Sequence, residues 1–261
     1  MPVRVGVLGF GAIGRSVVDS LLERKEEFEV VGFSDVEEVD GTPIPQLPVD
    51  EMIQESDVVI EVASHAAVRQ YAVQILESGT DLLIVSVGAL ADRSLEEKLL
   101  AAGPGNLIIC TGALGGIDYI QAAKLVGEID EISLTSTKKP RVLSQPWMDD
   151  SLQKKLAAGD ERVVVFEGNA REAAEAFPKS SNVSATLALT VGSWETVKVR
   201  VVGDPAAKQT KHQIHLSGEV GESVFEVNSV PSAINPATSS VVPYSVVKAL
   251  KTAHGSGYKI M

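Results

Sequence analysis

The chain has 261 residues, of which 44% are hydrophobic and 22% are charged. This composition is ordinary for a globular protein, it suffices for one large or two modest domains with their own cores, and it argues against disorder. The formal net charge of −12 and the pI near 4.8 would repel nucleic acid and anionic membranes, so neither is expected as a partner.

The chain runs from Met1 directly into VRVGVLGF, without the charged, apolar and small-residue regions of a signal peptide. Its apolar runs are all shorter than the ~18 residues expected of a membrane span. The single cysteine, Cys110, excludes an internal disulfide and suits a reducing compartment. We therefore expect a cytoplasmic protein.

Short apolar runs alternate with helical patterns over the first hundred residues. Runs this apolar are typical of strands that are covered on both faces, so they predict a parallel sheet and a Rossmann-type doubly wound α/β domain. We place this dinucleotide-binding domain at residues 1–111. The predicted strands cover residues 3–8, 28–33, 57–62, 82–87 and 107–110, the predicted helices cover 12–24, 66–78 and 94–102, and a proline-containing surface loop is predicted at 40–51.

After Thr111 the pattern changes to alternating apolar and polar residues, which predicts mostly antiparallel strands. We expect a smaller α+β substrate domain at residues 112–238. The segment 239–261 contains a helix entered through Ser and Pro and ended by Gly255, and we expect it to pack back on the first domain. The predicted strands here cover residues 131–136, 162–167, 196–202, 213–217 and 223–227, and the predicted helices cover 119–126, 170–176 and 183–190.

The motif GFGAIG follows the first strand and opens the first helix, as a dinucleotide-binding loop requires. Gly9 permits the tight turn, Gly11 lets the pyrophosphate approach the backbone, and Gly14 lets helix and strand pack closely. The anion would then lie at the helix start, where Ala12 and Ile13 are the next contacts. A plain strand-to-helix turn in a domain that binds something else would explain two of the three glycines.

Asp35 ends the second strand, 21 residues after Gly14, where an acidic residue binds the ribose 2′-hydroxyl. The residues that follow it are Val-Glu-Glu and include no arginine, so a 2′-phosphate would meet negative charge. The sequence therefore favours NAD, with NADP possible but less favoured. In EVASHAAV, Ala63 and Ser64 are expected at the carboxyl edge of the sheet beside the cofactor, and His65 is interpreted as a helix-start residue.

Three further residues have competing interpretations. Cys110 is either a thiolate nucleophile of the kind that semialdehyde dehydrogenases use or, as we favour, an inert buried thiol. Asn182 is interpreted as a helix cap, although it could also bind the nicotinamide carboxamide. In TSTKKPR, Lys138 or its cationic neighbours Lys139 and Arg141 could hold substrate carboxylates, but a solvated basic loop fits equally well.

The segment TKHQIHLSG contains two histidines three positions apart. On a strand, this spacing directs His212 and His215 to opposite faces. His212 shares its face with Ile214 and Leu216 and is predicted to be buried, whereas His215 lies with polar residues. A buried histidine needs a hydrogen-bond partner or a task, so proton transfer and a structural role both stay open for His212. His254 is interpreted as the last residue of the terminal helix.

The long motifs TGALGGID, VFEGNAREAAEAFPKSSNVSATLAL, GDPAAKQTKHQIH and NSVPSAINPATSSVVPYSVVKAL resemble the L-aspartate dehydrogenases over nearly the whole chain. The resemblance implies that His212, which follows the Asp-Pro turn, is catalytic, that Ala113 and Asn182 contact the cofactor, and that the protein is a homodimer. Two positions depart from the family pattern: Thr210 stands where asparagine is common, and Ala237 where lysine is common.

This resemblance implies NAD-dependent oxidative deamination of L-aspartate to iminoaspartate, which hydrolyses to oxaloacetate and ammonia or feeds NAD biosynthesis. His212 would act as the base and Lys138 would hold a substrate carboxylate. Two alternatives keep the same fold: a reductase of a semialdehyde or cyclic imine, similar to homoserine dehydrogenase or dihydrodipicolinate reductase, and a catalytically silent NAD-sensing module.

Overall fold

A computed structural model describes residues 1–178, 180–232 and 238–255 of the chain. The chain divides into two compact units. The first comprises Met1–Gly112 and Val242–Met261, and the second comprises Ala113–Val241.

The first unit contains a five-stranded parallel sheet, which confirms the predicted Rossmann-type architecture. Its strands are β1 (Val3–Leu8), β2 (Phe28–Ser34), β3 (Val58–Glu61), β4 (Asp81–Ile84) and β5 (Leu107–Ile109), in the order β2-β1-β3-β4-β5. The helices that precede the second unit are α1 (Ala12–Leu22), α2 (Val49–Glu55), α3 (His65–Glu77) and α4 (Arg93–Ala101). The direction of the strand order reverses after β1, so the sheet has a topological switch point between β1 and β3.

The apolar character of these strands explains why they lie in the middle of the unit. Side chains from β1, β2, β3 and β4 join one hydrophobic core with residues of α1. Burial of this much aliphatic and aromatic surface is the main favourable contribution to folding. Fully buried members of the core include Val5, Val7, Val17, Leu21, Phe33, Ile60 and Leu83.

Helix α2 corrects the prediction that residues 40–51 form a loop, because the helix begins at Val49. Pro48 precedes it, and Asp50 and Glu51 lie in its first turn, where acidic side chains stabilise the positive end of the helix dipole. The predicted loop is therefore wrong for its last three residues. The signal was present in the sequence as two acids that begin two positions after a proline.

The second unit contains a mixed five-stranded sheet with one parallel pair, so the prediction of mostly antiparallel pairing is confirmed. Its strands are β6 (Ile129–Lys138), β7 (Val163–Asn169), β8 (Lys198–Gly203), β9 (Thr210–Gly218) and β10 (Gly221–Ser229), in the order β10-β9-β6-β8-β7, with β6 and β8 parallel. Its helices are α5 (Ile117–Val126), α6 (Asp150–Ala158), α7 (Ala170–Ala176) and α8 (Asn182–Val191).

Helix α6 was not predicted, although its ends carry clear signals. The side chain of Asp149 accepts a hydrogen bond from the backbone of Leu152 at 2.7 Å and caps the first turn. Gly159 ends the helix in the left-handed conformation with φ +63°. Only one residue of this amphipathic helix, Leu156, is fully covered, which explains why its apolar periodicity is weak.

The last helix, α9 (Val242–His254), packs against α1 in the first unit. Val246, Val247 and Leu250 enter the hydrophobic core of that unit, and Lys251 forms an ion pair with Glu27 at 3.1 Å. None of the helices in the described ranges is both long and apolar enough to cross a membrane.

Candidate active site

The glycine loop lies between β1 and α1 at the carboxyl edge of the parallel sheet, beside the switch point. Gly9 has a positive φ of +102°, and a Cβ added there would lie 2.7 Å from the backbone of Ala63. A Cβ added to Gly14 would overlap the carbonyl oxygen of Gly9, so that glycine is needed for helix and strand to meet. By contrast, a Cβ on Gly11 would meet no atom within 4 Å. The space over Gly11 is open, as the approach of a pyrophosphate requires.

The first amide groups of α1 are available to an anion. The first intrahelical hydrogen bond runs from the backbone N–H of Arg15 to the carbonyl of Gly11, at 3.0 Å. The N–H groups of Ala12, Ile13 and Gly14 therefore have no acceptor within the helix. No side chain caps this helix, and its first turn contains no acidic residue. These features fit a dinucleotide, whose pyrophosphate accepts hydrogen bonds at a helix N-terminus.

Asp35 follows β2 at the same edge and is bound to the glycine loop. Its Oδ2 accepts a hydrogen bond from the backbone N–H of Phe10 at 2.6 Å, and its Oδ1 accepts one from the backbone N–H of Glu37 at 3.2 Å. A carboxylate has about four acceptor positions, so it can still accept a bond from a ribose hydroxyl. The next three residues, Val36, Glu37 and Glu38, are exposed, and the two glutamates add negative charge beside Asp35.

Ala63 and Ser64 follow β3, and their backbone amides are held by a buried carboxylate. Glu61, which is 1% exposed, accepts hydrogen bonds from the N–H groups of Ala63 at 2.9 Å and Ser64 at 2.8 Å. It also accepts bonds from the N–H and the hydroxyl of Ser86, which follows β4. Burial raises the pKa of the Glu61 carboxyl, and these four hydrogen bonds lower it in part. The loops after β3 and β4 thus share one acceptor.

In the second unit, His212 lies on β9 directly opposite Ser136 on β6. The Nδ1 atom of His212 and the Oγ atom of Ser136 are 2.9 Å apart and form a hydrogen bond. His212 is 5% exposed, and its neighbours on the same face, Ile214 and Leu216, are also buried, whereas His215 is half-exposed. The prediction that strand parity separates the two histidines is therefore confirmed.

The imidazole of His212 is neutral at physiological pH. Burial first, and the positive charge of Lys138 second, lower the pKa of His212 to about 3. A neutral imidazole can accept a proton, whereas an imidazolium cannot. Within the described residues, the imidazole of His212 has one hydrogen-bond partner, Ser136, which binds its Nδ1 atom.

Lys138 ends β6 on the face that Ser136 occupies, and it is 9% exposed. Burial lowers the pKa of its ammonium. No carboxylate or other hydrogen-bond partner of its Nζ is found among residues 1–178, 180–232 and 238–255. A buried amine without a partner is costly unless a ligand supplies one. This side chain therefore has the character of a binding group for an anion.

Lys138 and Ser136 line a small cavity of about 20 Å³. Its volume is enough for one water-sized group. Its walls combine three further serines with apolar side chains: Leu143, Ala173, Phe177, Ser180, Ser181, Val183, Ser184, Val199 and Val201. The cation and the hydroxyl groups in its walls are groups that bind anions. Within the described ranges, no cluster of histidine, cysteine and acidic residues could hold a metal ion.

Residues 118–253 match the family model "Aspartate dehydrogenase, C-terminal", which spans just over half of the chain. The chain belongs to the L-aspartate dehydrogenase family. Residues 9–106 match "Homoserine dehydrogenase, NAD binding domain", so this member of the family carries an NAD(P)-binding domain.

Curated relatives extend the likeness over both units. The L-aspartate dehydrogenase of Methanosarcina barkeri is 34% identical over 95% of this chain and 96% of its own length. That of Archaeoglobus fulgidus is 36% identical over the same shares. The family to which the chain belongs is thus one of oxidoreductases.

Solved structures agree. The crystal structure of aspartate dehydrogenase from Thermotoga maritima has a TM-score of 0.79 and 26% identity, and the match covers 100% of this chain and 99% of that one. A hyperthermophilic archaeal homoserine dehydrogenase in complex with NADPH has a TM-score of 0.59, 12% identity and coverage of 96% and 98%, which shows a shared fold.

The structure brings the predicted cofactor residues of the first unit to one edge of one sheet, and it places Lys138 and His212 together in the second unit. Ala113, which is 5% exposed, precedes α5, and Asn182 is the first residue of α8. The interpretation of Asn182 as the cap is wrong, because Ser181 occupies the cap position and makes no capping hydrogen bond with its side chain. The roles of these residues toward a cofactor stay predictions.

The remaining candidates have clear positions. Burial raises the pKa of the Cys110 thiol, whose Sγ lies 3.1 Å from the Oγ of Ser245, which favours a buried thiol over a nucleophile. His65 begins α3 and His254 ends α9, as predicted. Lys139 and Arg141 are exposed. Ala237 lies outside the described residues.

The sequence analysis missed four residues at these sites. Ser136 and Ser86 carry no recognisable motif, because a serine becomes a partner only through the register of its strand or loop. Glu61 had a usable signal, since it is the one acid inside the apolar run VVIEV. Arg15 lies with its guanidinium 4.7 Å over the ring of Phe10 and supplies a positive charge beside the glycine loop.

Proposed function

We propose that this chain catalyses the NAD-dependent oxidation of L-aspartate at Cα. The product is iminoaspartate, which takes up water to give oxaloacetate and ammonia. The observation that carries the proposal is the neutral, serine-held imidazole of His212 on the same sheet as the buried ammonium of Lys138, which has no partner within the described residues. A base and an anion-binding cation are the two groups that the oxidation of an acidic amino acid requires.

The base acts on the substrate amine, because a hydride leaves Cα only when the nitrogen carries a lone pair. When the Nδ1–H of His212 donates to the Oγ of Ser136, the lone pair is on Nε2, which accepts the proton. Once it has released that proton to solvent, the same nitrogen accepts a proton from the water that attacks the imine. Bound NAD supplies the hydride acceptor.

Lys138 is proposed to bind a substrate carboxylate. This pairing would also tune the base. The charge of Lys138 contributes to the low pKa of His212, so a carboxylate that offsets this charge raises the pKa of the imidazole toward the range of an effective base. Thr210 lies two positions before His212 on the same face of β9, where the family commonly has asparagine, and it is a second candidate for a substrate contact.

NAD is proposed over NADP because Asp35 is fixed by the amide of Phe10 and is followed by exposed acidic residues. The cofactor contacts would be Gly9, Gly11, Ala12, Ile13, Gly14, Asp35, Ala63, Ser64, Ala113 and Asn182. A cytoplasmic homodimer that feeds NAD biosynthesis is the setting that the family resemblance implies. The thiol of Cys110, which forms no disulfide, suits a reducing compartment.

The test is an absorbance assay at 340 nm with a panel of amino acids and both cofactors. We expect rapid NADH formation with L-aspartate and NAD, and much slower NADPH formation with L-aspartate and NADP. Turnover of homoserine in place of aspartate would contradict the proposal and favour the alternative function, a reductase of a semialdehyde. NADH binding without turnover of any amino acid would replace it by the sensing module, and size-exclusion chromatography checks the dimer.

A further inference from the structure

Glu61 is a buried carboxylate at the end of β3 that the proposed chemistry does not use. At 1% exposure it is among the most buried charged side chains of the first unit. Burial of this carboxylate is unfavourable: it raises the pKa of the Glu61 carboxyl in spite of four hydrogen bonds that lower it. A charge that is expensive to bury and makes no contact with solvent calls for a structural or functional reason.

The geometry of its donors supplies that reason. Oε1 accepts the N–H groups of Ala63 and Ser64 and the hydroxyl of Ser86, and Oε2 accepts the N–H of Ser86 at 3.0 Å. The three N–H groups can only donate, so both oxygens must act as acceptors. An ionised carboxylate meets this requirement, and neither an amide nor an apolar side chain of the same size does.

The clamped segments lie at the carboxyl edge of the sheet, where dinucleotides bind in this fold. The backbone of Ala63 packs closely on Gly9: a Cβ added to Gly9 would lie 2.7 Å from the backbone atoms of Ala63. Ser64 caps α3 by accepting the N–H of Ala67 at 3.2 Å. Glu61 thereby fixes the neighbour of the glycine loop, the start of α3 and the turn after β4.

We propose that Glu61 is a positioning residue that holds the loops after β3 and β4 in the arrangement that binds the dinucleotide. It does so without touching the cofactor. This inference rests on the cofactor part of the proposed function and adds to it a residue that acts through the backbone of its neighbours.

The test compares the wild-type protein with Glu61→Gln in a fluorescence titration with NADH. Glutamine retains one acceptor oxygen but presents its NH₂ group to a donor, so one charge-assisted bond is lost and two donors face each other. We expect the Kd for NADH to rise about tenfold, as the loss of such a bond predicts. In steady-state kinetics, the KM for NAD rises while kcat at saturating NAD changes little. Hydrogen exchange at the amides of Ala63, Ser64 and Ser86 becomes faster.

Thr80→Val is the matched control. Thr80 is a buried polar residue at the opposite edge of the same sheet, and its hydroxyl donates to backbone carbonyls of Ile53 and Ser56. This variant is expected to lower the melting temperature and to keep the wild-type Kd. An equal loss of NADH affinity in Thr80→Val would show that affinity only follows stability and would overturn the inference.

Three other outcomes are decisive. Wild-type affinity in a folded Glu61→Gln protein overturns the positioning role and leaves the proposed function intact. If Glu61→Gln does not fold, the Ser86→Ala variant provides the test, because it removes one of the four donors to Glu61. A loss of about threefold in NADH affinity supports the positioning role, and unchanged NADH affinity overturns it. Failure of the wild-type protein to bind NADH overturns the proposed cofactor and the inference with it.

Discussion

The buried ionisable groups of the two units have opposite surroundings. In the first unit, the two carboxylate oxygens of Glu61 accept four hydrogen bonds, all from residues at the same edge of the sheet. In the second unit, the ammonium of Lys138 has no partner in the described part of the chain, and one serine holds the ring of His212. A satisfied buried charge organises structure, whereas an unsatisfied one stores free energy that a ligand can release. On this comparison, the first arrangement agrees with the proposed positioning role of Glu61, and the second with the proposed reactive site.

Replacement of His212 by alanine should produce the largest effect if the second unit holds the chemistry. We expect kcat with L-aspartate to fall about 10³-fold, as the loss of a general base predicts, with an unchanged Kd for NADH. His215→Ala is the control, because it changes a half-exposed histidine on the other face of the same strand. Near-normal turnover in His212→Ala would remove the distinction between the two regions.

The pH dependence of stability provides a second test of the same histidine. The pKa of His212 in the folded state, about 3, lies below its unfolded value of 6.5. The stabilising contribution of a group with a lowered pKa is present above pH 6.5 and is lost as the pH falls through the window from 6.5 to 3. At pH 4 the loss is about 3 kcal/mol. Urea unfolding at pH 7 and pH 4 should show this loss in the wild-type protein, and it should be absent in His212→Asn.

Lys138→Met tests whether this buried cation, which has no partner in the described ranges, is kept for binding. We expect the KM for L-aspartate to rise about 30-fold, because a charge-assisted bond to a carboxylate is lost. The melting temperature should rise at the same time, since the variant no longer buries an unpaired charge. Lys139→Met, at the exposed neighbour, should change neither quantity. A lower melting temperature together with an unchanged KM would show that Lys138 has only a structural role.

Gly11→Ala tests the scaffold side of the comparison. The added methyl group meets no protein atom within 4 Å, so the free energy of unfolding should stay unchanged. The methyl group would nevertheless occupy the space over the loop, and we expect the Kd for NADH to rise about tenfold. Gly14→Ala provides the contrast, because its methyl group would overlap the carbonyl of Gly9 and should destabilise the fold itself. Unchanged NADH affinity in Gly11→Ala would place the pyrophosphate elsewhere.

Asp35→Asn should give the smallest effect. The amide oxygen can still accept the N–H of Phe10, but the longer bond from the N–H of Glu37 is lost and the negative charge is removed. We expect the ratio of kcat/KM for NAD to that for NADP to fall about fivefold, which corresponds to about 1 kcal/mol for a partly exposed charge. Glu37→Gln, two residues later and exposed, is the control. An unchanged ratio would assign cofactor choice to another residue.

The features of the site that the sequence predicted depend on residues close to one another in the chain. The glycine loop and Asp35 were found because their spacing along the chain determines their spacing in a βαβ unit. The burial of His212 followed from the alternation of side chains on one strand. Helices α2 and α6 were missed because each has few fully covered residues, so that capping and charge, not apolar periodicity, marked their ends.

The sequence by itself determined where the strands of both sheets lie, that the first sheet is parallel, and which face of β9 holds His212. The tertiary structure decided the partners. Ser136 meets His212 across 76 residues, Glu61 meets Ser86 across 25, and Lys138 becomes buried only where the end of β6 is covered. Side-chain direction depends on local geometry, which the order of residues encodes. The identity of a partner depends on strand register, which is settled only when the whole sheet assembles.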